Sequence, residues 1–198
     1  MEFIDNKTIK LDKISNNLDR FVLSFVKILE KYTDYVIISG YVSILLGRTR
    51  ITEDIDVFIK KISLDRFSEF YKEAKKQDFE CINAEKVEEI FSYLKDGLAV
   101  RFSRKDTAIP NFEIKFPKDE LDEEIFNDFI IVRLKEGKLK ISSLERQIAF
   151  KKYYLKTDKD IEDAEHIEKT FEGKIDYRKI NKLKEIIGKI KENEKRRE

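Results

Sequence analysis

The sequence predicts an α/β fold of the α+β kind that passes into a helical C-terminal region, and three observations carry that reading. A short buried strand, a tight turn, a short helix and a second strand follow one another over residues 35–59. Two later segments alternate apolar and polar residues as half-buried strands do. Past Ile141 the apolar spacing is helical almost to the end, so the natural division is residues 1–141 against 142–198.

Taken in order, Ile14, Leu18, Phe21, Val22, Phe25, Val26 and Leu29 recur at intervals of three and four, which predicts an amphipathic helix over residues 11–32. Tyr35-Val36-Ile37-Ile38 is a buried strand that Ser39-Gly40 turns. A short helix over residues 42–46 is closed by Gly47, and Ile55-Asp56-Val57-Phe58-Ile59 is rich in strand formers. Ser63 caps a helix reaching Lys76, and residues 84–94 predict another. Residues 98–102 and 112–116 alternate as strands, with Pro110 ahead of the second, and residues 129–132 and 139–141 complete the β-rich part. Ser142-Ser143-Leu144-Glu145 reads as a capping box opening the first of three helices over 144–155, 159–171 and 177–191. The charged stretch from Lys191 to Glu198 reads as a fraying, solvated helix end.

Composition narrows the chemistry. Hydrophobic residues make up 41% of the chain and aromatics 12%, enough apolar surface for a real core. The 41 Lys+Arg nearly balance 40 Asp+Glu, so a net charge of +1 gives no global pull toward nucleic acid or anionic membrane. A single Cys81 excludes an intramolecular disulfide, and a lone His166 leaves no zinc cluster. Any metal must be held by oxygen, which favours Mg²⁺ or Mn²⁺. With neither a signal-like N-terminus nor a long apolar run, the expected location is cytoplasmic, with no membrane partner.

The stretch from Ile38 to Ile59 carries the chemistry. A strand ending in Ser39-Gly40 at a helix start presents free backbone N–H groups to a phosphate, and Gly40 allows close approach. Asp54 and Asp56 project from one face of a strand while Ile55, Val57 and Ile59 enter the core. Crowded carboxylates repel unless a cation sits between them. Phe112, Ile114 and Phe116 take the core face of another strand, which leaves Glu113 on the opposite face as a third carboxylate. Three such ligands would hold two ions about 3.5–4 Å apart, one activating a hydroxyl and one stabilising departing pyrophosphate. Asp158-Lys159-Asp160 repeats the spacing without strand or glycine turn, so context rather than spacing singles out the first pair.

These residues resemble a known group. Ser39-Gly40, a short helix, Gly47, Arg50, Thr52 and Asp54-Ile55-Asp56 are similar in order to the signature of the DNA polymerase β-type nucleotidyltransferase superfamily, nearest its small branch of AbiEii-like abortive-infection toxins and minimal nucleotidyltransferases. A second patch, residues 144–151 followed by Lys159-Asp160-Ile161-Glu162-Asp163, resembles that branch's helical segment. The resemblance covers roughly residues 36–167 and implies a nucleotidyltransferase-fold mixed sheet with flanking helices, then a C-terminal helical bundle. It implies Asp54, Asp56 and Glu113 as the metal and catalytic triad, Ser39 and Gly40 at the phosphates, and Lys151 reaching the nucleotide from the helical part. Two departures stand out: Ser39-Gly40 replaces the commoner Gly-Gly or Gly-Ser, and Glu113 replaces an Asp.

Structural alternatives accompany each residue. Arg48 and Arg50 suit a phosphate or a surface ion pair, and Thr52 suits a ligand contact or a turn. Asp160 and Asp163 would orient Lys151 or simply favour a helix N-terminus. His166 reads as a packing residue, Cys81 as a buried thiol, and Tyr153 and Tyr154 as core or base-stacking aromatics. Arg101, Arg104, Lys105 and Lys115 would guide a polyanion or guard a sheet edge. The expected activity is NMP transfer from an NTP to a hydroxyl of RNA, such as a tRNA 3′ end, or of an antitoxin-like protein. The alternatives are an aminoglycoside-type acceptor, a degenerate nucleotide- or partner-binding module of the same fold, and a charged interaction protein.

Overall fold

The computed structural model describes residues 1–196. Nine strands form one mixed sheet in the order β1-β2-β8-β9-β3-β4-β7-β6-β5. The strands are β1 (Glu2–Asp5), β2 (Thr8–Lys10), β3 (Tyr35–Ile37), β4 (Asp54–Ile59), β5 (Phe79–Cys81), β6 (Val100–Arg104), β7 (Asn111–Lys115), β8 (Phe129–Leu134) and β9 (Gly137–Ser142). Pairs β2/β8, β3/β9 and β4/β7 are parallel, and β1/β2, β3/β4, β5/β6, β6/β7 and β8/β9 antiparallel. The α/β class and mixed sheet expected from the sequence are thus observed.

Helix α1 (Asn17–Leu29) starts later than its apolar spacing suggested, because Asn16 and Asp19 form a reciprocal capping box there. Ile14, assigned above to the buried face, is consequently 93% exposed. The rest of that face packs as expected. Phe25 stacks on Phe112 of β7 at 4.2 Å between ring centroids and meets Phe70, Phe79 and Phe102 around it. This cluster covers the face of β4 and β7 carrying Ile55, Val57, Phe112 and Ile114, so the intervening polar residues must point the other way.

Helices α2 (Ser39–Leu45), α3 (Leu64–Lys76) and α4 (Val87–Lys95) follow in the expected places, and Gly47, at φ +97°, ends the α2 region. The short α5 (Glu120–Glu123), the β1–β2 hairpin and β5 were not foreseen. Their segments are brief or largely exposed, and pairing with distant strands decides their state more than local pattern does.

In the C-terminal part, α6 (Leu144–Ala149) runs into a π-helical turn (Phe150–Leu155), where a plain α-helix was expected. Lys156, left-handed at φ 64°, stops it, and its N–H reaches back five residues to the Lys151 carbonyl at 3.0 Å. Ser143 caps α6 by accepting from the Arg146 N–H. The expected capping box is not closed, because the N-cap is Ser143 rather than Ser142, which puts Arg146 at N3; Glu145 accepts from the Asp176 N–H and from Lys179. Helices α7 (Asp158–Thr170) and α8 (Tyr177–Lys195) complete the fold, and α8 runs beyond its expected end. Exposure rises along residues 191–196, while Arg197 and Glu198 of the expected fraying end lie outside the described residues. One apolar cluster contains residues from both sides of Ile141, from Ile9 to Ile187. No described helix is long and apolar enough to cross a membrane.

Candidate functional site

The parallel register of β4 and β7 aligns Asp54 with Asn111, Asp56 with Glu113 and Phe58 with Lys115. On the next strand, Arg101 stands opposite Glu113. Aligned residues share a face, so Asp54, Asp56 and Glu113 lie on the sheet face opposite the aromatic core. Each acid already has a partner. Asn111 donates its amide to Asp54 at 2.7 Å, Lys115 its ammonium to Asp56 at 2.8 Å, and Arg101 its Nε to Glu113 at 2.7 Å. The Glu113 carboxylate and the fields of Asp54 and Asp56 together hold the Arg101 guanidinium above its ordinary pKa.

The basic group named above therefore divides. Arg101 and Lys115 face the acids, whereas Arg104 donates to the Gln77 carbonyl and Ser24 hydroxyl and lies 3.9 Å from the Phe79 ring centroid.

Before α2 the chain bends sharply. Ser39 takes φ 65°, a left-handed conformation that costs a non-glycine residue about 1–2 kcal/mol. This is where the commoner signature has glycine. Gly40 has a different constraint, since a Cβ there would meet Arg50 Nη2 at 3.2 Å and Thr52 Oγ1 at 3.5 Å. Thr52 in turn donates to the Asp54 carbonyl at 3.0 Å. Gly40, Arg50 and Thr52 thus form one contact set leading into β4.

Lys151 and Asp163 are buried together, 1% and 0% exposed at the side chain, with Lys151 Nζ 2.9 Å from Asp163 Oδ2. Lys151 also reaches Asp160 at 3.3 Å, and Arg50 donates to Asp163 at 2.5 Å. Asp163 therefore joins the Gly40 contact set to the lysine of the helical region. Burial acts to raise its pKa, but hydrogen bonding and charge from Lys151 and Arg50 prevail, and the net shift is downward. Arg48 pairs with Glu162, also approaches Asp163, and so behaves as an ion-pair partner here. His166 bonds the Leu46 carbonyl at 3.1 Å and docks α7 on the end of α2, in keeping with a packing role. Cys81 is buried, and burial pushes its thiol pKa up.

A cavity of about 400 Å³ lies between the acid face and the C-terminal helices. Ser39 and Asp56 from one stretch and Lys151 from the helical region all line it; Gly40, Arg50, Thr52, Asp54 and Glu113 are outside its lining. Lys115, Lys118, Asp122, Arg146, Phe150 and Tyr154 join the wall. Sequence reading missed Lys118, Asp122 and Arg146, since their convergence depends on α5 folding back toward α6. Burial raises the Asp122 pKa.

The oxygen donors suit a hard divalent cation. Two carboxylates sit two residues apart on β4 with a third in register, and the buried Asn111 Oδ1 has no hydrogen-bond partner. Among the described residues, however, no three His, Cys, Asp or Glu side chains converge closely enough to form a metal cluster. The side chains of Lys115 and Arg101 occupy Asp56 and Glu113 instead.

No family model and no curated protein matches the chain. Solved structures do. The solution structure of the antibiotic-resistance factor ANT(2'')-Ia, an aminoglycoside nucleotidyltransferase, is similar over 90% of this chain and 95% of that one, with TM-score 0.53 and 14% identity. The fold is a nucleotidyltransferase fold. A crystal structure of ANT(2'')-Ia in complex with adenylyl-2''-tobramycin covers 87% of this chain and 95% of that one at TM-score 0.47 and 13% identity. An antigenic nucleotidyltransferase-like protein from Paracoccidioides brasiliensis covers 75% and 73% at TM-score 0.49 and 16% identity.

Proposed function

We propose that this chain is a metal-dependent nucleotidyltransferase that transfers NMP from an NTP to an acceptor hydroxyl and releases pyrophosphate. The observation that carries the reading is the meeting of Ser39, Asp56 and Lys151 around one cavity, with Asp54 and Glu113 beside Asp56 on the strand face. Its volume lies within the usual range for small-molecule sites. In this reading Asp54, Asp56 and Glu113 would hold Mg²⁺ or Mn²⁺. The bound cation would offset phosphate charge and make the acceptor hydroxyl easier to deprotonate. Lys151, fixed by Asp163 in the cavity wall, would offer the phosphates a stationary positive charge. The Ser39-Gly40 bend would give the triphosphate access to backbone N–H groups, with Arg50 and Thr52 fixing the bend from behind.

The acceptor proposed is an RNA hydroxyl, such as a tRNA 3′ end, or a hydroxyl of an antitoxin-like partner protein in the cytoplasm. This finer reading rests on the residues that resemble the AbiEii-like branch. ANT(2'')-Ia supports a small-molecule acceptor as the alternative. The test is transfer of label from each α-labelled NTP, with Mg²⁺, into the components of a cell extract. Label in RNA or protein supports the proposed acceptor, and label in a small molecule supports the alternative. Tight nucleotide binding without pyrophosphate release supports a degenerate module, a reading favoured by the partners already present on all three acids.

A further inference from the structure

Lys115 is unexpected beside a cation site. It follows Glu113 by two residues on β7, shares its face, and places Nζ 2.8 Å from Asp56 Oδ1. Asp56 and Lys115 are 21% and 25% exposed at the side chain, and both line the cavity. The contact to Asp56 is the single hydrogen bond that Lys115 Nζ makes among the described residues.

Three carboxylates on one sheet face, two of them in register, would repel one another without compensation. Lys115 and Arg101 supply two positive charges against those three negative ones, so the nucleotide-free face is nearly balanced by the chain itself. A divalent cation entering at Asp56 therefore meets a positive charge already seated there. A partly exposed ion pair on a cavity wall is held less firmly than a sealed one, and the lysine stem is long and flexible. Lys115 can leave Asp56 without disturbing the core beneath it.

We infer that Lys115 is an exchangeable internal cation. It occupies Asp56 while the site is empty of nucleotide and shifts to a nucleotide phosphate when a divalent cation takes the carboxylate. The inference rests on the nucleotidyltransferase reading above and adds a coupling to it. Metal alone must displace Lys115 with nothing to receive it, whereas metal arriving with a triphosphate brings its own anion. Metal and nucleotide then favour each other's binding, and the coupling is reciprocal.

The test is Mn²⁺ affinity, read from the electron paramagnetic resonance signal of free Mn²⁺, with and without a non-hydrolysable triphosphate analogue. Lys115→Met is expected to bind Mn²⁺ alone about five- to tenfold more tightly than the native chain and to lose most of the tightening that the analogue brings. Lys115→Arg, which keeps the charge, is expected to behave like the native chain and separates charge from any general disturbance of β7. Mn²⁺ affinity in Lys115→Met equal to or below the native value overturns the inference. Asp56→Asn distinguishes the two levels of failure. If Asp56→Asn abolishes Mn²⁺ binding while Lys115→Met changes nothing, the exchange fails and the metal site stands. If Mn²⁺ binding survives Asp56→Asn, the site reading falls and the exchange with it.

Discussion

Asp56 and Lys151 line the same cavity, each paired with an oppositely charged side chain, but their surroundings differ sharply. The Asp56–Lys115 pair lies open to the cavity, about a fifth to a quarter exposed, whereas Lys151 and Asp163 are sealed from solvent. An open pair contributes little to stability and can exchange partners. A sealed one that loses a member leaves the other's charge buried with fewer partners. The strand face is thus arranged for changeable chemistry, and the helical region for fixed positioning.

The largest effect is expected at the open pair and in activity alone. Asp56→Asn should lower nucleotidyl transfer by at least about a hundredfold. Its thermal midpoint should stay close to native, since the pair is partly exposed and the Asn oxygen can still accept from Lys115, which limits the loss to about 1 kcal/mol. Steady-state kinetics beside a melting curve checks both. Asp163→Asn should show the opposite balance. It leaves Lys151 buried without its main partner and should cost about 3–5 kcal/mol in chemical denaturation.

The acid response sharpens the same distinction. Asp163 has its pKa lowered in the folded chain by Lys151 and Arg50, against the effect of burial. The unfolded chain binds that proton more readily, so stability rises with pH across the window between the two pKa values. The contribution is complete above the ordinary carboxylate range near pH 4 and is lost as pH falls through the lowered folded value. Denaturation curves between about pH 6 and 2 should show a steep acid loss in the native chain and a shallower one in Asp163→Asn. The smallest effect is expected at the bend. Ser39→Gly should stabilise by about 1 kcal/mol, because glycine adopts φ 65° without the strain serine carries.

How much of this was legible in sequence follows the range of the interactions. The alternation of Asp54, Ile55, Asp56 and Val57 already sends the acids to one face and the aliphatics to the other, and Glu113 follows by the same rule. Pairing of β4 with β7 across some fifty residues was expected only from the idea of acids on neighbouring strands, because no local pattern specifies a partner, and it is what aligns Asp56 with Glu113. Nor did spacing reveal that Lys115 and Arg101 sit on those acids, since a lysine on an alternating strand reads as a solvated edge. Lys151 shows the same limit. The sequence offered a lysine beside Lys152 on an expected α-helix, and the π-helical turn together with Asp163 makes one of them buried. Short or exposed elements, such as the β1–β2 hairpin and β5, escaped because distant strands stabilise them.

On this reading the strand acids, rather than the buried network, would perform the chemistry. Pyrophosphate release from NTP with Mg²⁺, compared between the native chain and an Asp54→Ala, Asp56→Ala variant with native-like melting, tests it most directly. The predicted result is steady release by the native chain and none above background from the variant. Equal release by both would contradict it.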